Sequence, residues 1–467
     1  MRTLLISTYE LGHQPLHTAS AAGALLQAGH EVRCLDLSVE MWDDDAVAWA
    51  EAIAISVPMH TATRLAERAA QRIREVHPSV PVAFYGLYAG MDHHRGGSES
   101  ADAQFAGAYE HGLVGWLDRV ALREGTVEPQ VDLERRANVL PARHLLPEIS
   151  RYAHMALGDD ESPVGYTEAS RGCVHTCRHC PVPIVYDGRI RIIEPDVVLA
   201  DIAQLVEAGA RHITFADPDF LNGVRHSQRV VRAMHARHPH LTFDVTTKVE
   251  HILEHADVWE EFGTAGCLFV VSAFESVNDE ILRRLDKGHT AAESAQAIWQ
   301  LRRHGIEIRP SWMPFTPWTT PADVLAILEF VRDHDLIANV DPVQFTIRLL
   351  VPQGSLLLDL PEMVPHLRGY DEERLTYRWR AEDPRSDDLQ EELAGIVERG
   401  IAEESSDAVL FERLWMAVRA AAPDAPAGSQ PRLAGSPLPV RPRLTEPWFC
   451  CAEPTDMQFS PLEEIPA

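Results

Sequence analysis

Five of the seven cysteines in this 467-residue chain stand in two short groups. Cys173, Cys177 and Cys180 share the stretch "CVHTCRHC", and Cys450 and Cys451 are adjacent in the tail "WFCCAEP". Cysteine thiolates bind iron–sulfur clusters and zinc. They also act as nucleophiles or redox groups, and as soft ligands they bind thiophilic atoms. These two groups are therefore the residues in this sequence best suited to chemistry.

The spacing in the first group favours a [4Fe-4S] cluster. Four irons held by three cysteines leave one iron free to bind something else. Zinc usually takes a closed set of four Cys or His ligands, typically as two separated pairs. His175 and His179 lie in the loop, so a zinc site of three cysteines and one histidine is the alternative. No second pair of metal ligands follows the loop, which favours the cluster.

Charge and composition limit the partners of the protein. The chain has 42 Lys and Arg against 70 Asp and Glu, which gives a net charge of −28. Nucleic-acid binding needs a basic face. None stands out, so we expect no nucleic-acid partner. No apolar run is long enough to span a membrane, and the start lacks a signal-peptide pattern. We expect a cytoplasmic protein, in which thiols stay reduced.

In two regions of the sequence, predicted strands alternate with predicted helices, and we expect these elements to position the cysteines. In the first, residues 3–8, 31–37, 52–57 and 80–86 are predicted strands with helical patterns between them. This order predicts an α/β fold with a parallel, Rossmann-like sheet. Ligands of such sheets bind at the carboxyl ends of the strands.

The second alternation runs from about residue 165 to 355 and includes the runs "HITFAD", "CLFVVSAFES" and "DPVQFTIRLL" as strands. It predicts a parallel barrel, open or closed. The predicted parts are a Rossmann-like domain at 1–130, a connector at 131–160, a barrel at 161–355, a helical extension at 356–420, and a flexible linker with the cysteine tail at 421–467.

The loop and its surroundings resemble the radical SAM superfamily, whose signature is Cys-x3-Cys-x2-Cys before a partial (β/α)6 barrel. "SRGC" before the loop and "DKGHT" at 286–290 are similar to the large group that carries a cobalamin-type N-terminal domain. The resemblance covers about residues 1–355. It implies that the free iron binds S-adenosylmethionine (SAM) through its amino and carboxylate groups. One electron from the cluster would then cleave a carbon–sulfur bond of SAM. The family usually has an aromatic residue where His179 stands.

The same resemblance implies contacts to SAM in the barrel. Asp217 and Asp219 of "FADPDF" stand where the family binds the amino group. Lys248 is a candidate partner for the SAM carboxylate. Ser272 and Glu275 of "SAFES" are candidates for the ribose or the amino group. The alternative for each is a structural role, as a turn cap, a surface lysine or a polar strand end.

Two arginines and two isolated cysteines are also notable. Arg309 and Arg348 lie in predicted late barrel strands, where a buried guanidinium needs an anionic partner. Either arginine holds a substrate carboxylate or a structural Asp or Glu. Cys34 and Cys267 lie in apolar strand contexts and are predicted to be small buried hydrophobes.

By the same resemblance, the first domain is a cobalamin-binding module. Many such modules carry Asp-x-His-x-x-Gly after the first strand, with the histidine bound to cobalt. Here the stretch is "STYELGHQPLH", which has His13 and His17 but not the motif. Two alternatives therefore stay open: cobalamin bound without a histidine ligand, or a module that has lost its cofactor and packs on the barrel.

The tail resembles a narrow group of radical SAM proteins that end in Cys-Cys-Ala-Glu-Pro, some with selenocysteine at the position of Cys451 (the CUAEP/CCAEP group). "RLLVPQGSLLL" at 348–358 is also typical of that group. A selenol is a stronger nucleophile than a thiol, so this interchange implies direct chemistry at Cys451. The tail thiols are predicted to present a thiophilic substrate or to supply electrons. The alternative is an accidental pair in a disordered tail.

These observations predict a radical SAM enzyme that acts on a small molecule and receives electrons from a donor such as flavodoxin or ferredoxin. Three other functions stay open. One is transfer of a 3-amino-3-carboxypropyl group from SAM to thiol-bound arsenite, since some radical SAM enzymes of arsenic pathways carry C-terminal cysteine clusters. The others are cobalamin-dependent methyl transfer and a non-enzymatic iron–sulfur or zinc sensor.

Overall fold

The computed structural model describes residues 1–91, 100–123, 130–425 and 438–446. Within these ranges the chain forms two large sheets, one at the N-terminus and one in the middle of the chain. This arrangement confirms the predicted α/β fold. Among the described residues, no helix is both long and apolar enough to cross a membrane.

The N-terminal domain is a six-stranded parallel sheet with helices on both faces. The strands are β1 (Arg2–Ser7), β2 (Glu31–Asp36), β3 (Ala52–Ser56), β4 (Val82–Tyr85), β5 (Ala103–Gly107) and β6 (Gln130–Asp132), in the order β2-β1-β3-β4-β5-β6. The helices are α1 (Leu16–Gln27), α2 (Asp44–Trp49), α3 (His60–Val76) and α4 (Tyr109–Ala121). Leu4 and Ile6 share a core with α2 and α3, whereas Leu5 packs with α1 and α4. This twofold alternation buries both faces, which is why the strands are apolar throughout.

The order of the strands reverses at β1 and β3, so the loops that follow these two strands diverge. Such a switch point opens a crevice at the carboxyl ends of the strands. The loop after β1 contains Glu10 and His13, and the loop after β3 contains Pro58 and Met59. All four residues line the main cavity described below.

The middle sheet is a half-barrel of parallel strands with one antiparallel edge. Its parallel strands, in spatial order, are β14 (Glu307–Trp312), β13 (Cys267–Glu275), β12 (Thr242–Thr246), β11 (His212–Phe215) and β8 (Asp160–Thr167). The antiparallel β7 (His154–Leu157) lies beside β8, and β17 (Arg443–Leu444) lies beside β7. The surrounding helices are α6 (Pro195–Glu207), α7 (Val224–Arg237), α8 (Val249–Glu254), α9 (Trp259–Thr264), α10 (Asp279–Leu285), α11 (Ala291–Arg302) and α12 (Pro321–Asp333).

Two smaller pieces complete the described chain. The hairpin of β9 (Ser170–Gly172) and β10 (Ile190–Ile192) encloses the cysteine loop and α5 (Val182–Tyr186). After the half-barrel come the hairpin of β15 (Leu367–Asp371) and β16 (Thr376–Trp379), and then helices α13 (Pro384–Ala402) and α14 (Asp407–Ala421).

Three segments differ from the sequence-based expectation. The predicted strand "DPVQFTIRLL" forms a 3-10 helix at Pro342–Thr346, and its one β-bridge, between Arg348 and Phe315, lies outside the strands of the sheet. The predicted connector contributes Gln130–Asp132 to the first sheet and His154–Leu157 to the second. The predicted helical extension at 356–420 contains the β15–β16 hairpin before its two α-helices.

A buried arginine joins the two domains. The Arg143 guanidinium forms a bidentate ion pair with Asp201 of α6, at 2.9 and 2.8 Å, and donates to the Tyr166 carbonyl in β8. It also donates to the backbone carbonyl of Gln14 in the N-terminal domain. Because a buried guanidinium is costly without partners, these bonds fix the placement of the half-barrel on the first domain.

Residues 438–446, here called the strap, close the open side of the half-barrel. β17 pairs with β7 at one edge of the sheet. At the other edge, Arg441 forms ion pairs with Glu307 of β14 (2.6 Å) and with Asp335 (2.7 Å). The strap therefore bridges the two edges that the parallel strands leave apart.

Candidate active site

The three loop cysteines line a single cavity between the two domains. The cavity has a volume of about 290 Å³ and is bounded by strand ends of both sheets. Cys173 and Cys177 are buried. The loop is held by the rest of the fold, because the Arg178 N–H donates to the Leu285 carbonyl (2.9 Å) and Ser355 donates to the Arg178 carbonyl.

The placement of these thiols fits a metal cluster, because all three line one cavity together with the ammonium groups of Lys248 and Lys287. Burial raises the pKa of Cys173 to about 12, and it raises the pKa of Cys177 as well. A buried thiol ionises only when a positive charge is close, and coordinated metal supplies that charge. Cys173, Cys177 and Cys180 would therefore hold the cluster, whose chemistry is to deliver one electron to bound SAM.

The loop histidines that the zinc alternative requires have other neighbours. Nε2 of His179 lies 3.0 Å from a carboxylate oxygen of Glu275. Nε2 of His175 lies 3.8 Å from Asp219, which also contacts Nδ1 of His251 at 2.9 Å. His175, Asp219 and His251 are close enough to hold a metal ion. However, burial and then the Lys248 ammonium lower the pKa of His175 to about 4, and the same ammonium disfavours a second cation there.

Glu275 stands behind the cluster loop in a strained backbone conformation. Its φ of +61° is unusual for a residue other than glycine, and the register of β13 and β14 shifts between Ala273 and Glu275. Its Oε1 contacts Nε2 of His179 and the Lys287 ammonium, at 3.0 and 3.1 Å. Burial alone would raise the pKa of Glu275, but Lys287 and His179 lower it to about 2. The carboxylate therefore stays ionised and lines the cavity.

Lys287 is a residue that the sequence analysis did not single out. It is 2% exposed and lines the cavity beside Cys177 and Cys180. Burial lowers its pKa, but Glu275 and then Cys177 outweigh this effect and raise it, so the ammonium keeps its charge. Its position in "DKGHT", just after the end of α10, is the feature of the sequence that could have identified it.

Asp217 and Asp219 have different surroundings although they are two positions apart. Asp217 lines the cavity and accepts hydrogen bonds from the Ala169 N–H (2.8 Å) and the Ser170 hydroxyl (2.6 Å). Burial raises the pKa of Asp217 to about 7. Asp219 instead accepts from Leu221 N–H (3.0 Å) and Thr247 (2.7 Å), and it is not among the cavity residues.

Of the other two residues predicted to contact SAM, Lys248 lines the cavity and Ser272 does not. Lys248 lines the cavity, with its Nζ 3.3 Å from Glu250. Ser272 is fully buried in β13 away from the cavity, and its hydroxyl has no hydrogen-bond partner among the described residues.

The two arginines each have an acidic partner. Arg309 lines the cavity and pairs with Asp341 at 2.9 Å. Arg348 lies outside the cavity, pairs with Asp387 at 2.7 Å and stacks on the Trp379 ring. Arg348 therefore binds an aspartate of the protein, which is the structural one of the two roles left open for it.

The N-terminal half of the cavity contains buried polar groups. His13 stacks on Tyr166 at 4.2 Å, and burial lowers its pKa to about 3, so the ring is neutral. His17 contacts Glu10 at 2.8 Å. Burial lowers the pKa of His17, but Glu10 outweighs this effect and raises it. One carboxylate oxygen of Glu10 and the Tyr109 hydroxyl have no hydrogen-bond partner among the described residues. These groups could accept or donate hydrogen bonds to a bound ligand.

The strap reaches the same cavity. Leu444 and Glu446 are among its lining residues. Cys450 and Cys451 lie outside the described residues, so their predicted role remains a prediction, as does the resemblance of the tail to the CUAEP/CCAEP group. Cys34 is half-buried, and Cys267 is buried in β13.

Comparison with known proteins defines the class. Residues 167–331 match the model of the radical SAM superfamily. This part of the chain is therefore a radical SAM domain, and the protein is a radical SAM enzyme that uses a [4Fe-4S] cluster and SAM. The matched residues begin at the end of β8 and include the cysteine loop and the half-barrel as far as α12.

Curated relatives are distant in sequence. The anaerobic magnesium-protoporphyrin IX monomethyl ester cyclase of Synechocystis is 23% identical over 72% of this chain and 70% of its own length. The hopanoid C-3 methylase of Methylococcus capsulatus is 22% identical, over 65% of this chain and 62% of that protein. The tRNA-2-methylthio-N(6)-dimethylallyladenosine synthase of Vibrio cholerae is 26% identical, and the chain spans about half its length, 49%.

Solved structures share the two-domain fold. The radical SAM methyltransferase TsrM from Kitasatospora setae, with tryptophan and a SAM analogue bound, has a TM-score of 0.61 at 16% identity, covering 79% of this chain and 78% of TsrM. The cobalamin-dependent radical SAM enzyme OxsB, with aqua-cobalamin bound, has a TM-score of 0.65 at 14% identity, covering 85% of this chain and 67% of OxsB.

Proposed function

We propose that this enzyme reductively cleaves SAM and modifies a small molecule, or transfers a group to it, inside the cavity between the two domains. We further propose that Cys450 and Cys451 present the substrate or supply electrons there. One observation carries the proposal. A single cavity is lined by the three loop cysteines and by Glu446, which stands four residues before Cys450 in the chain.

Charged residues of the cavity suit the amino-acid part of SAM. Asp217 and Glu275 offer carboxylates to an ammonium, while Lys248 and Lys287 offer ammonium groups to a carboxylate. Glu275 and Lys287 are already paired with each other, so their net effect on a zwitterion is small. Lys248 is paired with Glu250, but that partner is 42% exposed and its charge is screened by solvent. Asp217 and Lys248 are therefore the stronger candidates for SAM contacts.

The barrel and the strap would shield the reaction from solvent. The strap covers the open side of the half-barrel, and apolar residues such as Phe269 and Trp312 line the cavity. Exclusion of water protects a reactive radical from side reactions. Electrons would come from a donor such as flavodoxin or ferredoxin. We propose a cytoplasmic setting, where the tail thiols stay reduced.

The cavity also supports cobalamin-dependent methyl transfer as a second candidate. Its N-terminal half lies at the switch point of the first sheet, where ligands of such folds bind. OxsB, which shares the fold, binds cobalamin. His17 is held by Glu10 and His13 by its stack on Tyr166, so neither histidine is placed as a simple cobalt ligand. Cobalamin would therefore bind here without a histidine ligand, with Glu10 and Tyr109 available to its amide groups.

Titration with SAM tests the proposal. The protein is reconstituted with iron and sulfide without oxygen, reduced, and mixed with SAM while the electron paramagnetic resonance spectrum of the cluster is recorded. We expect the spectrum to change as SAM binds, with at least about tenfold weaker binding in Asp217→Asn, since a charge-assisted hydrogen bond is lost. If the cluster is fully loaded and its spectrum does not change with SAM, the protein is better explained as a non-enzymatic iron–sulfur sensor.

A further inference from the structure

Helix α7 is basic although the protein as a whole is strongly acidic. The helix carries four arginines and no aspartate or glutamate, whereas the chain has a net charge of −28. Arg232 forms an ion pair with Glu261 at 2.7 Å. Arg225 and Arg229 are exposed, and neither forms an ion pair among the described residues. Because these two arginines are one turn apart, they lie on the same face of the helix, and their charges are not compensated there.

The start of α7 lies next to the cluster loop. Asn222, two residues before the helix begins, accepts a hydrogen bond from the Val174 N–H at 3.2 Å, and its Oδ1 lies 3.7 Å from Sγ of Cys173. The side-chain amide of Asn222 also donates to the Gly172 carbonyl. These contacts hold the start of the helix against the segment that carries the first cluster cysteine. The basic face of α7 therefore begins beside the cluster loop.

Two apolar side chains are exposed at the same place. Val174 is 43% exposed, and Ile192 of β10 is 40% exposed. Ile192 reaches the start of α7, since its Cδ1 lies 3.1 Å from the position that a Cβ atom of Gly223 would take. Apolar side chains surrounded by charged ones are the usual arrangement of a protein–protein interface.

The acidic side chains nearby have partners of their own. Asp187 lies 3.9 Å from Arg189 and is 82% exposed, so solvent screens this pair. Glu250, which lies near His175, pairs with the Lys248 ammonium at 3.3 Å. Neither acid compensates the arginines of α7. The surface that results, here called the outer face, consists of Val174, Arg189, Ile192, Arg225 and Arg229.

The outer face is also the side from which an electron can reach the cluster. The inner side of the cluster loop lines the cavity, which SAM and the substrate would occupy and which the strap covers. Val174 and Thr176 are the exposed residues of the loop. The electron donor that the proposed function requires would therefore approach the loop from the outside.

We propose that the outer face is the docking site of an acidic electron-carrier protein, which passes one electron to the cluster beside Val174. The carrier loses one electron and the cluster gains it, so no further reactant is needed. Opposite charges steer such an encounter and raise its rate. Steering needs a local basic surface here, because the rest of the protein repels an acidic partner. The inference rests on the proposed function only in that the cluster must exchange electrons.

Electron transfer to a bacterial flavodoxin tests the docking. The reconstituted holoprotein is reduced with dithionite, freed of excess reductant and mixed with oxidised flavodoxin. The flavodoxin takes one electron from the cluster and becomes a semiquinone, whose absorbance gives the second-order rate constant in a stopped-flow instrument. A surface that passes electrons in this direction also passes them in the other.

The test variant is Arg225→Glu with Arg229→Glu. The matched control is Arg303→Glu with Arg399→Glu, which reverses two exposed arginines outside the outer face and changes the net charge by the same amount. Each protein is measured at several salt concentrations, and again with duroquinone, a small neutral acceptor that needs no docking.

We expect the rate constant of the parent to fall as salt is added. At low salt the test variant should be at least about tenfold slower than the parent, and the control should stay within about twofold of it. Transfer to duroquinone should be equal in all three proteins. The proposal is overturned if the test variant is as fast as the parent with flavodoxin, or if the control or the duroquinone reaction is slowed equally. SAM cleavage with dithionite tests the proposed function separately, so the two failures can be told apart.

Discussion

Lys287 and Glu275 form a buried ion pair beside the cluster loop, and its loss should be costly. In Lys287→Met the Glu275 carboxylate would keep only His179 as a partner. We expect the free energy of unfolding to fall by about 3–5 kcal/mol, the usual cost of an unpaired buried charge. Urea denaturation measures this value. The control is Arg283→Ala, which breaks an exposed pair with Glu280 and should cost less than about 1 kcal/mol. Similar losses in both variants would argue against the buried pair.

The loop cysteines should differ from the isolated cysteine of β13. Cys173→Ser removes a cluster ligand, whereas Cys267→Ala alters a buried thiol that has no cavity contact. After anaerobic reconstitution we expect Cys173→Ser to lose most of its iron and Cys267→Ala to retain the parent amount. Iron and sulfide analysis gives the answer. If Cys173→Ser binds as much iron as the parent protein, Cys173 is not a ligand of the cluster.

Asp217 should make stability depend on pH. Burial raises its pKa to about 7 from the ordinary value of 3.8. The folded state then keeps a proton that the unfolded state releases, so wild-type stability falls as the pH rises from about 4 to about 7. Asp217→Asn removes this titration. We therefore expect the free energy of unfolding of the variant, minus that of the wild type, to increase by on the order of 2–4 kcal/mol between about pH 4 and about pH 7. Urea unfolding of both proteins at pH 5 and pH 7.5 tests this, and a constant difference would contradict it.

Sequence reasoning brings residues together most directly where their spacing is short. The spacing of Cys173, Cys177 and Cys180 predicts three neighbouring thiols, and all three line one cavity. Asp217 and Asp219 have similar sequence contexts, but their partners come from different elements: Ser170 and the backbone for one, Thr247 and His251 for the other. No local pattern predicts which carboxylate faces the cavity.

The strap should respond to the loss of its ion pairs. Arg441→Ala removes two ion pairs, a partly buried one with Glu307 and a more exposed one with Asp335, which together we expect to contribute about 1 kcal/mol. Amide hydrogen exchange of Leu444, Thr445 and His154 should then be about fivefold faster. Arg413→Ala, which breaks the exposed pair with Glu403, is the control and should leave this exchange unchanged. Unchanged exchange in Arg441→Ala would show that β-pairing alone holds the strap.

Elements with strong periodicity were predictable, and those defined by distant partners were not. The strands β1 to β4, β11 and β13 follow from apolar runs, whereas β6 ("QVD") and β8 ("DESPVGYT") are not apolar runs and were not predicted. The two-residue β17 has no pattern of its own and exists because β7 offers an unpaired edge. The run at 342–350 is apolar enough for a strand, but it forms a 3-10 helix at 342–346 and a single β-bridge at Arg348 instead.

At the level of the whole molecule, the function depends on what the two domains share. The cluster loop and α5 pack into the core of the first domain, where Cys173, Val182 and Tyr186 join the side chains of β1 and β3. The cavity, the switch point of the first sheet and the end of the strap therefore meet in one place. The sequence contains all three features, but their meeting depends on long-range packing that no motif encodes.

The most direct test of the account identifies the nucleoside released from SAM. The reconstituted protein is incubated with SAM and dithionite without oxygen, and the products are analysed by mass spectrometry, with Cys173→Ser as the control. We predict a nucleoside that requires both the reductant and Cys173. 5′-Deoxyadenosine would indicate an adenosyl radical, methylthioadenosine would indicate aminocarboxypropyl transfer, and S-adenosylhomocysteine would indicate methyl transfer. A fully loaded cluster that releases no nucleoside, or equal release by Cys173→Ser, would contradict the account.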